Sequence, residues 1–536
     1  MSDTLTAPGG DVNDPPFPNQ NDHVQAQSEP ATTDGEDTVA MEISPTDSKP
    51  ADPSNTAMDT SESASSTSKS SIFYPASQTS TVEYDQVPFV EFSKQVKRLC
   101  HSLWPPTPRE YRIQRLLGGP NNRFMGVLRS KKLGRYLWPA APPKSFEIDR
   151  MSGGSFNRIV GIKIIGSEKE DTIPLILRTS RDLSDSRPDR EMAILQYIGL
   201  HTRVSVPQIK AFDLTEDNPL KMPYVIQNRV PGVCFSAAIK DGLSHKQWCT
   251  ITKEVANVIL ELQKVENRTP GLIETSVKED GAQTFNICAF DIRNPRDMEW
   301  KQRIAKSPEY EADRANALEC YETKTLDFLT TQFGRWLREE LRPCPFNVLY
   351  NNKMRELALV ASEMNKEGIF GESKNCLVHM DLAARNIMVE VGPDDFIKIT
   401  GVLDWDSAIF APRFVSCRPP WWLWQDQEHP EDAMEDETNA NIGAADDPEL
   451  IEVKSIFDSI MGEEYVRCAY QPEYLIARRL FDIALHGNWS NETWREIDDI
   501  VKDWDTLQEA KKDKSPSASA PVSPTSSEEQ QDNVGS

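Results

Sequence analysis

The sequence lacks a run of about 18 apolar residues, and residues 1–10 have neither an apolar core nor an Arg-rich amphipathic pattern. We therefore expect no membrane-spanning segment and no targeting leader. The 9 cysteines are scattered singly, without a Cys-x-x-Cys pair or a paired histidine. This spacing argues against a disulfide or zinc framework, and it favours reduced thiols in a protein of the cytosol or nucleus.

Acidic residues exceed basic residues by 84 to 59, which gives a formal net charge of -25 at pH 7. The excess is uneven, because residues 1–80 contribute -11, residues 425–449 contribute -10 and residues 511–536 contribute -1. The remainder of the chain therefore carries only -3. A body so close to neutral offers no broad basic field for phosphate backbones, so a general nucleic-acid binder is disfavoured.

Composition divides the chain into five segments. Residues 1–85 are rich in Ser, Thr, Pro and acids with few large apolar side chains, which predicts a disordered acidic arm. Residues 86–145 combine a helical pattern with Pro-rich sequence. The composition of residues 511–536 predicts a disordered C-terminal tail. Between them we predict an N-lobe at 146–232 and a helical C-lobe at 233–510, with the acidic segment 425–449 as an insertion in the C-lobe.

Strand-like and helical patterns follow one another in a simple order. The runs FEIDRM, RIVGIKIIG, LILRTS and PYVIQNRV indicate short strands, and REMAILQYIG indicates an amphipathic helix between them. Long helical patterns dominate after residue 232. They are interrupted by NIMVEV and FIKITGVL, which the turn sequence GPDD joins into a predicted hairpin. The sequence thus predicts a small sheet with one helix, followed by a larger helical part.

The strongest chemical signal is the spacing His379-x-Asp381-x4-Asn386, followed by Asp404 just after the predicted hairpin. Phosphoryl transfer needs one carboxylate that accepts a hydrogen bond from the attacking hydroxyl, and hard oxygen ligands that hold Mg²⁺ across the nucleotide phosphates. Asp381 suits the first role. Asn386 and Asp404 suit the second, because a hairpin brings its two ends to one rim. The alternative is that His379 and Asp381 only cap or brace a turn.

With the motifs HMDLAARNIMV and GVLDWDSAIFAP, the sequence resembles the aminoglycoside phosphotransferase and choline kinase family, in particular its fungal phosphotransferase-domain proteins. The resemblance covers about residues 146–504. It implies an α+β, two-lobed protein-kinase-like fold, with a small antiparallel N-lobe sheet and a larger helical C-lobe. It also implies that Asp381 is the catalytic carboxylate, that Asn386 and Asp404 bind the metal and that His379 braces the loop.

The same resemblance implies a nucleotide-phosphate site in the N-lobe. Gly153, Gly154 and Ser155 stand where the family has a glycine-bearing turn over the phosphates, although an ordinary hairpin turn is the alternative. Arg178 stands in the place of the family's phosphate-binding lysine, with Glu191 as its helix partner. Arg keeps the charge but is bulkier than Lys, so the pair either positions phosphate or is only a structural salt bridge.

PYVIQNRV resembles the hinge between the lobes. Gln227, Asn228 and Val230 are the candidates for holding adenine through backbone hydrogen bonds, and another core strand is the alternative. Asp406 is either a further carboxylate of the site or an exposed turn acid.

Three tryptophans, Trp421, Trp422 and Trp424, follow the predicted metal loop directly. Large rings so close together favour core packing over a ligand cage. The acidic segment that comes next is typical of a solvated loop, although it could lean over the acceptor and favour a cationic substrate.

These features together predict an enzyme, an ATP- and Mg²⁺-dependent kinase that transfers the γ-phosphoryl group to a hydroxyl of a small molecule. The absence of a GxGxxG fingerprint and of an APE-like segment after Asp404 disfavours a protein acceptor. The alternative is a weak or inactive kinase-like scaffold that acts through protein contacts, which Arg178 and the acidic arm favour. The predicted partners are a nucleotide and a small-molecule acceptor, without nucleic acid or membrane.

Overall fold

The structure is a computed structural model, and it describes eleven ranges of the chain: 87–105, 142–151, 157–166, 172–181, 187–277, 283–290, 324–341, 348–371, 374–424, 447–487 and 491–514. The acidic arm, the turn at 153–155, most of the acidic segment and the tail after residue 514 lie outside these ranges. The fold and the site are built from the described residues alone.

The N-lobe contains a five-stranded antiparallel sheet. Its strands are β1 (Ser145–Arg150), β2 (Asn157–Ile165), β3 (Ile173–Ser180), β4 (Ile209–Asp213) and β5 (Tyr224–Asn228). Their spatial order is β1-β2-β3-β5-β4, and every neighbouring pair is antiparallel. Four strands coincide with the β-branched runs of the sequence, whereas β4 was not predicted. The small antiparallel sheet is confirmed.

Helices cover both faces of this sheet, α1 (Phe89–Leu103) on one face and α2 (Pro188–His201) on the other. Side chains along a strand alternate between the two faces. Leu175 and Leu177 in β3 therefore share the core with α1, whereas Arg178 points to the opposite face and reaches α2. The helix predicted at the start of the extension is thus part of the N-lobe core.

The C-lobe is mainly helical and packs around one extended apolar core. Its helices are α3 (Phe235–Asp241), α4 (His245–Gln263), α5 (Thr325–Leu341), α6 (Val348–Lys366), α7 (Arg413–Ser416), α8 (Pro448–Tyr470), α9 (Pro472–His486) and α10 (Asn491–Lys514). Helix α10 continues to Lys514, four residues into the stretch predicted as the C-terminal tail. Among the described helices, none combines the length and the apolar character that crossing a membrane requires.

Helix α8 was not predicted, although its start carries a recognisable signal. Asp447 accepts a hydrogen bond from the backbone N–H of Glu449 at 2.9 Å, and Pro448 occupies the first turn. An acidic cap followed by Pro is typical of a helix N-terminus. The acidic composition of the preceding segment concealed this boundary.

Short strands interrupt the helices where the motifs lie. They are β6 (Val233–Cys234), β7 (Glu266–Asn267), β8 (Leu272–Val277), β9 (Gln283–Cys288), β10 (Asn375–Val378), β11 (Ile387–Val391), β12 (Ile397–Val402) and β13 (Ile409–Pro412). β11 and β12 pair as an antiparallel hairpin, which confirms the hairpin predicted from NIMVEV and FIKITGVL. The chain enters this region from the N-lobe sheet through Gly232 and β6, which pairs with β11.

Gly232 lies at this crossing with a φ of +95°, and a Cβ added there would overlap the backbone carbonyl of Val389 in β11. We expect Gly232→Ala to lower the free energy of unfolding by more than about 1 kcal/mol, since both the backbone angle and the space exclude a side chain. Urea denaturation measures the change. Gly199→Ala is the matched control, because this helical glycine faces open space. Equal effects at the two positions would contradict the proposed close approach.

Candidate active site

The loop between β10 and β11 holds the predicted catalytic carboxylate. One oxygen of Asp381, Oδ1, accepts a hydrogen bond from Arg385 at 2.6 Å, and the other, Oδ2, accepts one from the side-chain amide of Asn386 at 2.9 Å. The Asp381 side chain remains 33% exposed. Two donors thus fix the orientation of a carboxylate that a reactant can still reach.

Asn386 connects this loop to the predicted metal loop. Its amide nitrogen also donates to the backbone carbonyl of Asp381 at 2.9 Å, so its amide oxygen is the side-chain atom left to act as a ligand. Its backbone carbonyl accepts a hydrogen bond from the N–H of Leu403 at 2.7 Å. The next residue, Asp404, adopts a left-handed conformation with φ 62° and ψ 60°, which Asp tolerates better than most residues. The hairpin therefore brings Asn386 and Asp404 to one rim, as predicted.

His379 is a buried brace between the two loops. Its Nε2 lies 2.9 Å from the carbonyl oxygen of Leu403, and its Nδ1 lies 3.3 Å from the backbone nitrogen of Asp381. Burial lowers the pKa of His379, so the neutral ring donates from Nε2 and accepts at Nδ1. The ring also packs on Trp405 with their centres 4.3 Å apart. His379 therefore links the backbone at Asp381 to the backbone at Leu403.

Arg178 is the point where the N-lobe meets this rim. Its guanidinium lies 2.5 Å from Glu191 on α2, 3.2 Å from Asp406 and 3.6 Å from Asp404. Arg178 and Glu191 are both buried, and Asn157 in β2 donates a further hydrogen bond to Asp406 at 3.4 Å. The predicted Arg178 and Glu191 pair is present, and Asp406 belongs to the same cluster although its side chain is half exposed.

The crowding of carboxylates changes their protonation. Burial raises the pKa of Glu191 to about 8, and Arg178 offsets that effect only in part. Loss of hydration also raises the pKa of Asp406, and Asp404 adds to the rise. Burial alone would lower the pKa of Arg178, but the surrounding carboxylates raise it overall. Three carboxyl groups therefore compete for one buried cation, and the pKa values of Glu191 and Asp406 rise because Arg178 cannot offset their burial and mutual repulsion in full.

The donor set of this rim suits a hard divalent cation. The charged side chains at the rim are four carboxylic acids and two guanidinium groups: Asp381, Asp404, Asp406, Glu191, Arg178 and Arg385. When all six are ionised, their formal charges sum to -2. Carboxylate and amide oxygens are the ligands that Mg²⁺ prefers. Asn386 and Asp404 offer one of each, so the residues present fit the predicted metal.

The end of β5 only partly matches the predicted hinge. The N–H groups of Asn228 and Arg229 already donate to carbonyls of neighbouring segments at 3.0 and 3.1 Å. No described residue accepts a hydrogen bond from the N–H of Val230, so Val230 is the remaining backbone donor among the candidates. The side-chain oxygen of Gln227 is buried without a partner among the described residues, on the sheet face that also carries Arg178. Of the residues predicted to hold adenine, the backbone N–H of Val230 and the side-chain oxygen of Gln227 thus remain as candidates.

Sequence reasoning missed several supporting residues. Arg385 orients Asp381, and its place four residues later in the motif was an available signal. No sequence motif points to the roles of Asn157 and Trp405, because these roles depend on contacts between distant parts of the chain. The turn at 153–155 lies outside the described residues and is not among the contacts above.

A cavity of about 270 Å³ lies against Asp381. Its walls include Leu262 of α4, Leu377 of β10, and Trp421 with Trp422. The three tryptophans are buried, as predicted for core packing, yet two of them also line this cavity. A recess with both apolar and polar walls therefore opens beside the oriented carboxylate.

Comparison with known proteins identifies a family model that matches residues 164–441, just over half of the chain, and is described as a phosphotransferase enzyme family. Two curated proteins are similar in sequence, the subtelomeric hrmA-associated cluster proteins of two Aspergillus fumigatus strains. Each is 21% identical over 300 residues, which cover 45% of this chain and 54% of the relative. The chain thus spans about half the length of the curated relatives it matches.

Two solved structures are also similar. One is an aminoglycoside 2'-phosphotransferase in complex with GDP, which aligns at 10% identity and a TM-score of 0.35 over 70% of this chain and 98% of the other. The second is a thermostable aminoglycoside phosphotransferase in ternary complex with AMP-PNP and hygromycin B. It aligns at 15% identity and a TM-score of 0.32 over 67% of this chain and 94% of the other.

We expect Arg178→Met to lower the free energy of unfolding by about 3–5 kcal/mol, because Glu191 would remain buried without its partner. The double variant Arg178→Met/Glu191→Met removes both charges and is expected to lose less. Lys94→Met is the control, since the exposed pair of Lys94 and Glu91 contributes less than about 1 kcal/mol. Urea denaturation compares the variants. A double variant no more stable than Arg178→Met would count against the paired role.

Proposed function

Because this chain belongs to the phosphotransferase enzyme family, we propose that it is a small-molecule kinase that transfers the γ-phosphoryl group of ATP to a hydroxyl, with Mg²⁺ as cofactor. The observation that carries the proposal is the rim where Asp381, Asn386 and Asp404 converge. The hydrogen bond from the Leu403 N–H to the Asn386 carbonyl, at 2.7 Å, fixes that convergence.

Asp381 is proposed as the carboxylate that orients the acceptor hydroxyl and takes its proton. Arg385 and Asn386 hold this carboxylate through both of its oxygens, which restricts its rotation. An oriented base lowers the barrier chiefly by placing the attacking oxygen correctly. His379 sets the backbone at Asp381 and need not touch the substrates.

Asn386 and Asp404 are proposed to hold Mg²⁺ through their side-chain oxygens. When bound, Mg²⁺ would bridge the nucleotide phosphates and neutralise part of their charge. The surplus of carboxylates on this rim supports the assignment, since the cluster gains from an added cation. The left-handed backbone at Asp404 supports it too, because this conformation directs the residue out of the β12 strand.

Arg178 is proposed to steady the phosphates from the N-lobe side, together with the turn at 153–155. Its buried position between Glu191 and Asp404 places a fixed positive charge beside the proposed metal ligands. A guanidinium offers several donors in one plane, so it suits phosphate oxygens as well as carboxylates. Val230 and Gln227 would hold the base of the nucleotide.

The cavity beside Asp381 is proposed as the acceptor site. The apolar part of its wall, which includes Trp421 and Trp422, favours an acceptor that presents a flat or aliphatic face next to the reacting hydroxyl. Arg418 is a cation in the lining, and Asp482 pairs with it at 2.7 Å. The suggested preference for a cationic acceptor rests on the acidic segment, most of which lies outside the described residues.

The compartment proposed for this enzyme is the cytosol or nucleus. The described cysteines are free thiols, with none of them in a disulfide. Reduced thiols support a reducing compartment.

Binding of ATP with Mg²⁺ tests the nucleotide site. At one hundred times its dissociation constant, we expect ATP with Mg²⁺ to stabilise the protein by about 2.7 kcal/mol, measured as a thermal shift. Asp404→Asn is expected to remove the effect of Mg²⁺. Asp394→Asn is the matched control, because Asp394 has a similar left-handed φ of 58° in the hairpin turn.

If neither ATP alone nor ATP with Mg²⁺ shifts the unfolding temperature, the kinase proposal fails and the scaffold alternative takes its place. A shift of the same size in Asp404→Asn and in wild type would instead contradict the assigned metal ligand.

A further inference from the structure

One cluster of ligand-type side chains lies away from the candidate active site, where α4 meets α8. His245 and Cys249 stand one turn apart on α4, and Glu449 and Glu452 extend from the first turns of α8. The Nε2 of His245 lies 3.1 Å from Glu452 Oε2 and 3.5 Å from Cys249 Sγ. Imidazole, thiol and carboxylate thus face one another across two helices.

We propose that His245, Cys249 and Glu452 form a transition-metal site that takes Zn²⁺, here named the α4–α8 clasp. The three ligand atoms all lie within 4.8 Å of one another. Nitrogen, sulfur and one carboxylate oxygen make up a donor set that Zn²⁺ accepts, with water as the fourth ligand. Mg²⁺ does not prefer such a mixed, soft donor set, so the clasp is chemically distinct from the rim at Asp404.

The positions of the three ligand atoms need little adjustment to coordinate Zn²⁺. Zn²⁺ bonds of about 2.0–2.3 Å place tetrahedral ligand atoms about 3.3–3.8 Å apart. The two separations from His245 Nε2, 3.1 and 3.5 Å, already lie at or near this range. The remaining pair, Cys249 Sγ and the Glu452 carboxylate, closes by at most about 1.0–1.5 Å from its upper limit of 4.8 Å. Glu452 is 61% exposed, so its side chain is free of packing that would prevent this shift.

Glu449 lies at ion-pair distance from the second ring nitrogen of His245, and a shift of about 0.5 Å would make it a hydrogen-bonding, orienting partner. Its Oε2 lies 3.6 Å from His245 Nδ1, on the ring nitrogen opposite the proposed ligand atom. Metal-binding histidines commonly donate their second N–H to a carboxylate, which fixes the tautomer and raises the basicity of the ligand nitrogen. A simple ion pair between His245 and one glutamate would explain neither the thiol at Nε2 nor the second glutamate at Nδ1.

A free cysteine thiol is mostly protonated at neutral pH, and the surroundings of Cys249 favour that form. Loss of hydration raises the pKa of Cys249, and Glu452 and Glu449 add to the rise while Lys253 opposes it. Zn²⁺ must therefore displace one proton from Cys249 Sγ as the sulfur–metal bond forms, and this proton passes to solvent. Binding is expected to release protons.

The clasp would also steady the hairpin behind the active site. Helix α4 supports β12 directly, since Gln247 donates to the Phe396 carbonyl at 3.2 Å and Glu254 accepts from the Ile399 N–H at 2.5 Å. A metal ion that joins α4 to α8 would thus restrict the motion of α4, and with it the motion of β12, which leads to Asp404. Added Zn²⁺ is expected to raise the unfolding temperature.

Cobalt substitution tests the clasp in the full chain, freed of purification tags and treated with chelator. With one equivalent of Co²⁺ we expect a sulfur-to-cobalt charge-transfer band and visible bands typical of four-coordinate cobalt, both removed by Zn²⁺ and unaffected by excess Mg²⁺. Cys249→Ser is expected to abolish the charge-transfer band. Glu449→Gln is expected to weaken binding about 10- to 100-fold while the band remains.

Cys234→Ser is the control, because this partly exposed thiol lies elsewhere in the C-lobe. A charge-transfer band that persists in Cys249→Ser, or that disappears in Cys234→Ser, would overturn the proposal. So would the absence of any band in the wild-type protein. His245→Gln provides a second variant that leaves every cysteine in place, and loss of the four-coordinate spectrum in it would support the clasp.

Discussion

The buried guanidinium of Arg178 joins the N-lobe sheet to the loops that carry the candidate active site. It reaches Glu191 on α2 at 2.5 Å and Asp406, beyond β12, at 3.2 Å. A buried charge is tolerated only when it is paired, so these contacts constrain the sheet, the helix and the loop after β12 relative to one another. The same charge lies beside Asp404. This contact between the two lobes therefore also contributes to the electrostatics of the proposed phosphate site.

Within the C-lobe, hydrogen bonds to the backbone link the loop before β11 to the loop after β12. Leu403 donates to the Asn386 carbonyl, and the Leu403 carbonyl in turn lies 2.9 Å from His379 Nε2. His379 then contacts the backbone nitrogen of Asp381. The proposed base and the proposed metal ligands thus share one short network, and a displacement of the hairpin would reach all of them. Helix α4, which holds the hairpin, is also the helix that bears the proposed clasp.

The sequence predicts those parts of the fold that local pattern and spacing determine. The hairpin of β11 and β12, the buried helix α4 and the convergence of Asn386 with Asp404 follow from alternation, helical periodicity and motif spacing. Helix α8 escaped prediction because its acidic flank concealed its start. The role of Asn157 depends on a contact with Asp406, 249 residues away along the chain, which no local pattern encodes. The clasp could not be predicted from local sequence either, since its ligands come from two helices far apart in the chain and no Cys-x-x-Cys spacing indicates a metal site.

Phosphoryl transfer by an Asp381 variant tests the central claim most directly. With ATP, Mg²⁺ and a panel of amino-alcohols, sugars, nucleosides and hydroxylated aromatic compounds, we expect the wild-type protein to phosphorylate at least one acceptor. Asp381→Asn keeps the size of the side chain and is expected to bind ATP as the wild type does, while turnover falls about 10²- to 10⁴-fold. Turnover that survives in Asp381→Asn, or a wild-type protein that binds ATP yet transfers phosphate to none of these acceptors, would contradict the account.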